Sequence, residues 1–370
     1  MPETLIPPAL LKKSDKILFI AHLALGDFTY LQNFFQAFAR ANPQLKVHLW
    51  VDEVRRTSDA AQWKYLEKYA LYDWVAACPF FDKIYTRTYS PALYQQSILE
   101  ARQEHYPIVV SLATLRPHLY AGLARSISPD GLVIGMKKRV KFYQPHHQLA
   151  YRKLDASIPP YSVDRSNPQH ISDVYAHWFH QLSGLEVSAA ERFPFVDIPP
   201  QWRQYAQDKL AAWGFASADG KQGKLVFINS YAKTKKRCWL LEHVAELIIA
   251  MKKQDAWRDS SFIVNAVPQE LAHARQIIGN YKLERTELFS AEENFFQLPA
   301  ILEQCDLIVS VETAVMHLAN AVHVPVIALM RQKNPEWVPI DRANSTVITA
   351  PNRRDWVKAV TVEQVMKAIQ

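Results

Sequence analysis

Three short stretches set chemically capable side chains beside expected strand ends. The first reads Ile20-Ala-His-Leu-Ala-Leu-Gly26-Asp27-Phe-Thr-Tyr. Gly26 permits a tight reversal after a strand, and Asp27 falls where the next helix is expected to start. Two roles are open to this carboxylate. It either N-caps a helix whose apolar face is Phe28, Leu31, Phe34, Phe35 and Phe38, or it waits at a sheet edge to take a proton from an attacking hydroxyl. The second stretch, Lys233-Thr-Lys235-Lys236-Arg237, follows a strand ending at Asn229 and precedes an amphipathic helix. As a flexible basic loop it suits neutralisation of a departing diphosphate; the plain alternative is a solvated loop. The third runs from the β-branched Leu307–Val311 through Glu312, Thr313, Ala314 and His317. A strand meeting a helix start turns backbone N–H groups outward, where an anion binds them. Thr313 adds a hydroxyl, and His317 lies one turn on along the same side. The bland alternatives are a first-turn Glu312 matching the helix dipole and a surface or satisfied histidine.

Alternating elements must carry these residues. In the first half, strands are expected at Lys16–His22, Lys46–Val51, Lys83–Thr86, Ile108–Leu112 and Gly131–Gly135, with helices such as Phe28–Arg40 and Leu93–Glu104. The pattern weakens between Lys137 and Ser172, returns as a helix over Asp173–Leu182, and breaks at the proline-rich Phe193–Pro200. It then restarts with strands at Lys224–Asn229, Ser261–Ala266, Leu307–Val311, Pro325–Leu329 and Ser345–Thr349, and helices at Leu240–Lys253, Pro268–Ile278 and Thr313–Val322. Such alternation implies parallel sheets with helical crossovers, hence an α/β chain of two Rossmann-like doubly wound domains facing a cleft. The expected division is 1–192 and 203–350, with a linker at 193–202 and a terminal segment at 351–370. That last segment holds a capping-box pair, Thr361 and Gln364, before one apolar helix face.

Composition bounds the partners. A chain of 370 residues with 49% apolar and 21% charged residues is globular and long enough for two cores. A net charge of +7 favours acidic partners. The positive charge is clustered, at Lys137-Lys138-Arg139-Val-Lys141 and in the 233–237 stretch, without finger spacing or an RNP-like strand. Phosphorylated small molecules or a phosphorylated membrane surface fit better than nucleic acid. Three cysteines lack metal-ligand spacing, no signal-like start or membrane-length apolar run occurs, and a cytoplasmic protein able to rest against anionic lipid is expected. Gly-x-Gly-x-x-Gly, Walker A, His-Glu-x-x-His, Gly-x-Ser-x-Gly and Asp-x-Asp are all absent, so no cofactor or bridging metal is expected.

The three stretches together resemble family 9 glycosyltransferases, the ADP-heptose transferases of lipopolysaccharide core assembly. Gly26-Asp27 matches the family's Gly-Asp pair after the first strand, whose Asp is regarded as the catalytic base. The run from Leu225 to Leu247 matches its strand, polar loop and Lys-Arg-Trp-Pro-Leu-Glu pattern, with Trp239, Leu241 and Glu242 in register, Cys238 for the Arg and Leu240 for Pro. The family's Asp-Thr-Gly-x-x-His-Leu reads Glu312-Thr313-Ala314-Val-Met-His317-Leu318 here, and Arg331-Gln-Lys333-Asn stands where Gly-Pro-Thr is usual, with Arg331 or Lys333 expected to supply charge in its place.

The resemblance implies a GT-B architecture and inverting, metal-independent transfer from a nucleotide-diphospho-sugar to a lipid-linked phosphorylated oligosaccharide. Asp27 would act as base. Lys233, Lys235, Lys236, Arg237, Glu312, Thr313, Ala314 and His317 would hold the donor, with the phosphate-binding cation among Lys235, Lys236 and Arg237 left open. Gly26, Lys137, Lys138 and Arg139 would meet the acceptor. Another nucleotide sugar, or a binding module without catalysis, are the alternatives.

Overall fold

The computed structural model describes residues 4–140, 143–158, 169–215 and 223–369. The chain divides into two compact units, Met1–Arg192 and Phe193–Gln370. In the first, β1 (Lys16–Ala21), β2 (Lys46–Val51), β3 (Lys83–Tyr85), β4 (Ile108–Ser111), β5 (Leu132–Met136) and β6 (Ala156–Ile158) form an all-parallel sheet ordered β3-β2-β1-β4-β5-β6. In the second, β7 (Leu225–Asn229), β8 (Ser261–Asn265), β9 (Thr286–Phe289), β10 (Leu307–Val311), β11 (Val326–Met330) and β12 (Ser345–Thr349) are ordered β12-β11-β10-β7-β8-β9, also parallel. Counted from its own first strand, each sheet has the doubly wound order, and the direction of winding reverses between β1 and β4 or between β7 and β10.

The central strands are continuous apolar runs because helices cover both faces of a parallel sheet. Phe19 of β1 shows how the cover is built: its ring meets Phe35 at 5.2 Å, Phe38 at 5.3 Å and Phe179 at 5.8 Å. Phe35 and Phe38 lie on the helix Leu25–Ala41, and Phe179 on the helix Ile171–Ser183. In the second unit, Val226, Ile228, Val309, Val311 and Ile327 pack with Val244 and Ile248 of the helix Leu241–Lys252 and with Val365 of the terminal helix Val362–Ile369. The capping box ahead of that last helix forms: Gln364 Oε1 accepts from the Thr361 N–H at 2.9 Å, and Thr361 Oγ1 from the Gln364 N–H at 3.3 Å.

Three local expectations change. The helix after β1 starts at Leu25 rather than Phe28, so Gly26 lies inside its first turn and Asp27 is the third helical residue rather than the N-cap. The helix Pro200–Ala212 begins within the stretch expected as linker, because proline at a first helical position has no N–H to leave unpaired. The helix after β10 starts at Ala314 with Thr313 as N-cap, so Glu312 precedes the first turn instead of occupying it. Among the described residues, no helix is long and apolar enough to cross a membrane. Lys141 lies outside the described residues.

Candidate functional site

In an open parallel sheet, loops leaving the two strands that flank a winding reversal diverge and leave a crevice at the strand C-terminal ends. The three stretches singled out in the sequence lie at such places. Asp27 follows β1; the Lys233–Arg237 turn follows β7; Glu312 and Thr313 follow β10.

Asp27 is part-buried. Its Oδ2 accepts from the Ala24 N–H at 3.2 Å, and its Oδ1 from the Tyr175 hydroxyl at 3.4 Å. Both bonds favour the carboxylate, yet burial outweighs them and pushes the carboxyl up to about 6. The group is therefore ionised at neutral pH and basic enough to take a proton. Tyr175 is itself buried, and its phenol is pushed well above the usual range first by burial and then by Asp27. Tyr69, donating to the Leu23 carbonyl at 3.2 Å, is pushed up to about 12, chiefly by burial.

On the same edge His22 stacks on Tyr120 at 5.7 Å, and burial is the main reason its pKa is lowered. The Tyr120 hydroxyl donates to Asp52 Oδ2 at 2.8 Å, while Arg56 holds Asp52 Oδ1 at 2.6 Å. Beyond β5, Lys137, Lys138 and Arg139 are exposed, and the Lys138 N–H donates to the Tyr151 hydroxyl at 3.3 Å. The contact that matters most, Tyr175 with Asp27, joins residues 148 apart, so no local spacing announces it.

In the second unit the expected flexible loop is instead a turn of 3-10 helix, Lys235–Arg237, pinned at both sides. Cys238 Sγ lies 3.3 Å from the Ala232 N–H, and the buried Trp239 donates its indole N–H to the Val360 carbonyl at 2.8 Å. Lys233, Lys235 and Lys236 are exposed on this turn, whereas Arg237 is half-buried and reaches Glu312. Thr313 Oγ1 accepts from the Val315 N–H at 3.3 Å and from Asn229 Nδ2 at 3.0 Å, so its own hydroxyl hydrogen is left for Ser310 Oγ, 3.4 Å away, or for a ligand oxygen that displaces that long contact. Asn265 Nδ2 donates to Asn229 Oδ1 at 2.8 Å, tying the ends of β7, β8 and β10 together. Ser230, 1% exposed, has a hydroxyl without a hydrogen-bond partner among the described residues. His317 is buried rather than a surface group, its ring 5.9 Å from that of Trp337. Ala314 opens the helix as its first residue.

Glu312 is the buried hub, 3% exposed. Its Oε1 accepts from Asn334 Nδ2 at 2.7 Å and lies 3.4 Å from Arg237 Nη2; its Oε2 lies 3.3 Å from Arg331 Nε and 3.4 Å from the Arg331 backbone N–H. The carboxylate thus gathers loops following β7 and β11 onto the end of β10. Sequence spacing gave Glu312 and Arg237 as candidates but not their pairing, and offered Arg331 only beside Lys333, as a charge in place of the Gly-Pro-Thr element.

The pattern of Glycosyltransferase family 9 (heptosyltransferase) matches residues 132–366. Among solved structures, a family 9 glycosyl transferase from Veillonella parvula aligns at a TM-score of 0.69 and 17% identity, covering 96% of this chain and 95% of that one. The ADP-heptose lps heptosyltransferase II of E. coli aligns at a TM-score of 0.67 and 14% identity, covering 96% and 97%. The E. coli heptosyltransferase WaaC, solved with ADP, aligns at 0.61 and 15%, covering 96% of each. At these identities the structures establish a shared fold, the GT-B fold of two Rossmann-like units. Comparison with curated proteins gives no match.

Proposed function

The chain belongs to glycosyltransferase family 9, and from that membership we propose that it moves heptose from ADP-heptose onto the phosphorylated inner core of lipopolysaccharide or lipooligosaccharide. The reaction is an inverting displacement without a bridging metal. An acceptor hydroxyl oxygen bonds to the anomeric carbon as the bond from that carbon to the diphosphate oxygen breaks, and ADP leaves with the electron pair. Asp27 takes the hydroxyl proton. The basic turn Lys233–Arg237, with Thr313 and the helix start at Ala314, meets the charge that gathers on the diphosphate. Gly26 borders the acceptor, and Lys137, Lys138 and Arg139 face its phosphates and carboxylates at the membrane surface.

The observation that carries this reading is Asp27: a part-buried carboxyl at a winding reversal, raised to about 6, bonded to a phenol and a backbone N–H. A general base works best when its pKa lies near the working pH. Calorimetric titration with ADP, ADP-heptose and UDP-, GDP- and CMP-sugars, without added metal, tests the donor. Selective binding of ADP-heptose, followed by heptose transfer to a Kdo–lipid A acceptor, is the expected result. Preference for another nucleotide reassigns the donor, and binding without transfer to any acceptor refutes the catalytic reading. A second donor sugar is favoured by one observation: Glu312, in the place of the family's Asp, has both carboxylate oxygens engaged by the protein's own side chains.

A further inference from the structure

Two Glu–Arg clusters in this chain differ in a way that bears on the donor site. In the first unit, Glu53 and Arg55 form a closed pair, with Nε to Oε1 at 2.7 Å and Nη2 to Oε2 at 2.6 Å. Those are the distances of a satisfied bidentate ion pair. At Glu312 the geometry is open. One carboxylate is shared between two guanidinium groups at 3.3 and 3.4 Å, longer than charge-assisted hydrogen bonds prefer. Neither arginine faces it with a full fork: Arg331 approaches through Nε and Arg237 through one Nη. Two cations against one anion leave a surplus positive charge at the strand end. Arg331 is confined there, with its side chain only 11% exposed.

We propose that Arg237 and Arg331 are the two arms of a diphosphate clamp, and that Glu312 is the positioning residue that holds them ready. Engagement through Nε leaves the two Nη groups of Arg331 for a second acceptor, and engagement through Nη2 leaves Nε and Nη1 of Arg237. A diphosphate answers the surplus charge and offers each arm a phosphate of its own, whereas a monophosphate brings less charge and must be shared between the two arms. The buried Ser230 hydroxyl, unpartnered among the described residues and in the turn that leads to Arg237, is a further donor at the same strand ends. The neighbouring Lys233, Lys235 and Lys236 are exposed and have no such tether among the described residues. This inference deepens the donor reading above and rests on it. It selects Arg237 from the basic turn and adds Arg331, a residue that stands where the resembling family has Gly-Pro-Thr.

The test is the ratio of diphosphate to monophosphate affinity, measured by calorimetry with ADP and AMP on the full chain. Arg331→Ala and Arg237→Ala are each expected to weaken ADP about 10- to 100-fold and AMP much less, the loss of a charge-assisted phosphate contact. Glu312→Gln is expected to weaken ADP about 3- to 10-fold, because the arms lose their tether but keep their charge. Arg331→Lys, which retains a partner for Glu312, guards against loss of fold and should still lower the ADP-to-AMP ratio, since an ammonium lacks the fork. A ratio unchanged in folded Arg331→Lys and Arg331→Ala, or a larger loss from Lys236→Ala than from Arg237→Ala, overturns the clamp. If the wild type prefers UDP or GDP, the donor reading fails while the ratio with UMP or GMP still decides the clamp. A wild type that binds no nucleoside diphosphate overturns both.

Discussion

Asp27 and Glu312 hold comparable places in two sheets wound the same way, and their surroundings make opposite use of a carboxylate. Each follows a strand that borders a winding reversal, β1 for Asp27 and β10 for Glu312. Asp27 has a phenol and one backbone N–H as partners, neither of them a cation, and burial raises it to about 6. Glu312 is more deeply buried but faces Arg237, Arg331 and Asn334. Burial without a counter-charge makes a carboxylate a proton acceptor; burial among guanidinium groups makes it an anchor. The chemistry is set by what the neighbouring elements bring to the strand end, not by the acid itself.

The comparison breaks first at turnover. Asp27→Asn removes the proton acceptor and keeps the shape, so steady-state transfer should fall about 10²- to 10⁴-fold while ADP affinity and far-UV circular dichroism stay as in the wild type. Retained turnover would show Asp27 to be only a helix-end residue. Glu312→Ala, by contrast, leaves two arginines and Asn334 facing an emptied site. Urea unfolding should show a loss of roughly 3 kcal/mol, at the low end for breaking a buried pair because Arg237 stays partly in contact with water. A loss below about 1 kcal/mol would mean that the arginines find other partners and that Glu312 is no hub.

How far the sequence announced this contrast depends on the range of the contacts involved. The limits of β2, β10 and β12 were legible because each is a β-branched or apolar run with polar breaks on both sides. β6, three residues long, and β9, whose Thr286 and Glu287 interrupt any apolar run, were not legible, since neither carries the β-branched run that marks β12, an edge strand like them. Asp27, Arg237, Glu312 and Thr313 stood out because a residue type beside a strand end is a local signal. Their partners did not. Tyr175 comes to Asp27 from a helix on the far side of the first unit's sequence, and Arg331 reaches Glu312 across a strand and a helix. The register of the sheets creates those meetings, and neither composition nor period encodes them. The start of the helix at Leu25 was missed for a related reason: Ala24 offers no capping side chain, and the cap comes backwards from Asp27.

Stability should sharpen the contrast, because removing the two acids moves it in opposite directions. The Asp27 carboxyl binds its proton more tightly in the folded chain, at about 6, than in the unfolded chain, near 3.8. Between those values the folded state carries the extra proton, so this group's contribution to stability falls as pH rises and its full cost is present above about 6. Discounted for its partial exposure, that cost is about 1–2 kcal/mol. Asp27→Asn should therefore stabilise the chain by about that amount at pH 7.5 and by almost nothing at pH 4. Equal effects at both pH values would sink the assignment of the raised pKa to Asp27.

The smallest expected effect is the most specific. The Tyr175 hydroxyl donates to Asp27 and so favours its ionised form, against the burial that disfavours it. Tyr175→Phe keeps the ring packed against Phe34, 6.1 Å away, and Trp178, 5.2 Å away, and deletes only the donor. The Asp27 pKa should then rise further, and the acid limb of the pH profile of kcat/KM should move up from near 6 by about half a unit, the share of a long, weak hydrogen bond to a charged group. At pH 8 and above, where Asp27 is ionised with or without the phenol, transfer should match the wild type. A Tyr175 that merely filled space would instead lower turnover equally across the profile, leaving its midpoint in place. The position of that limb therefore separates a residue that tunes the base from one that only supports the helix carrying it.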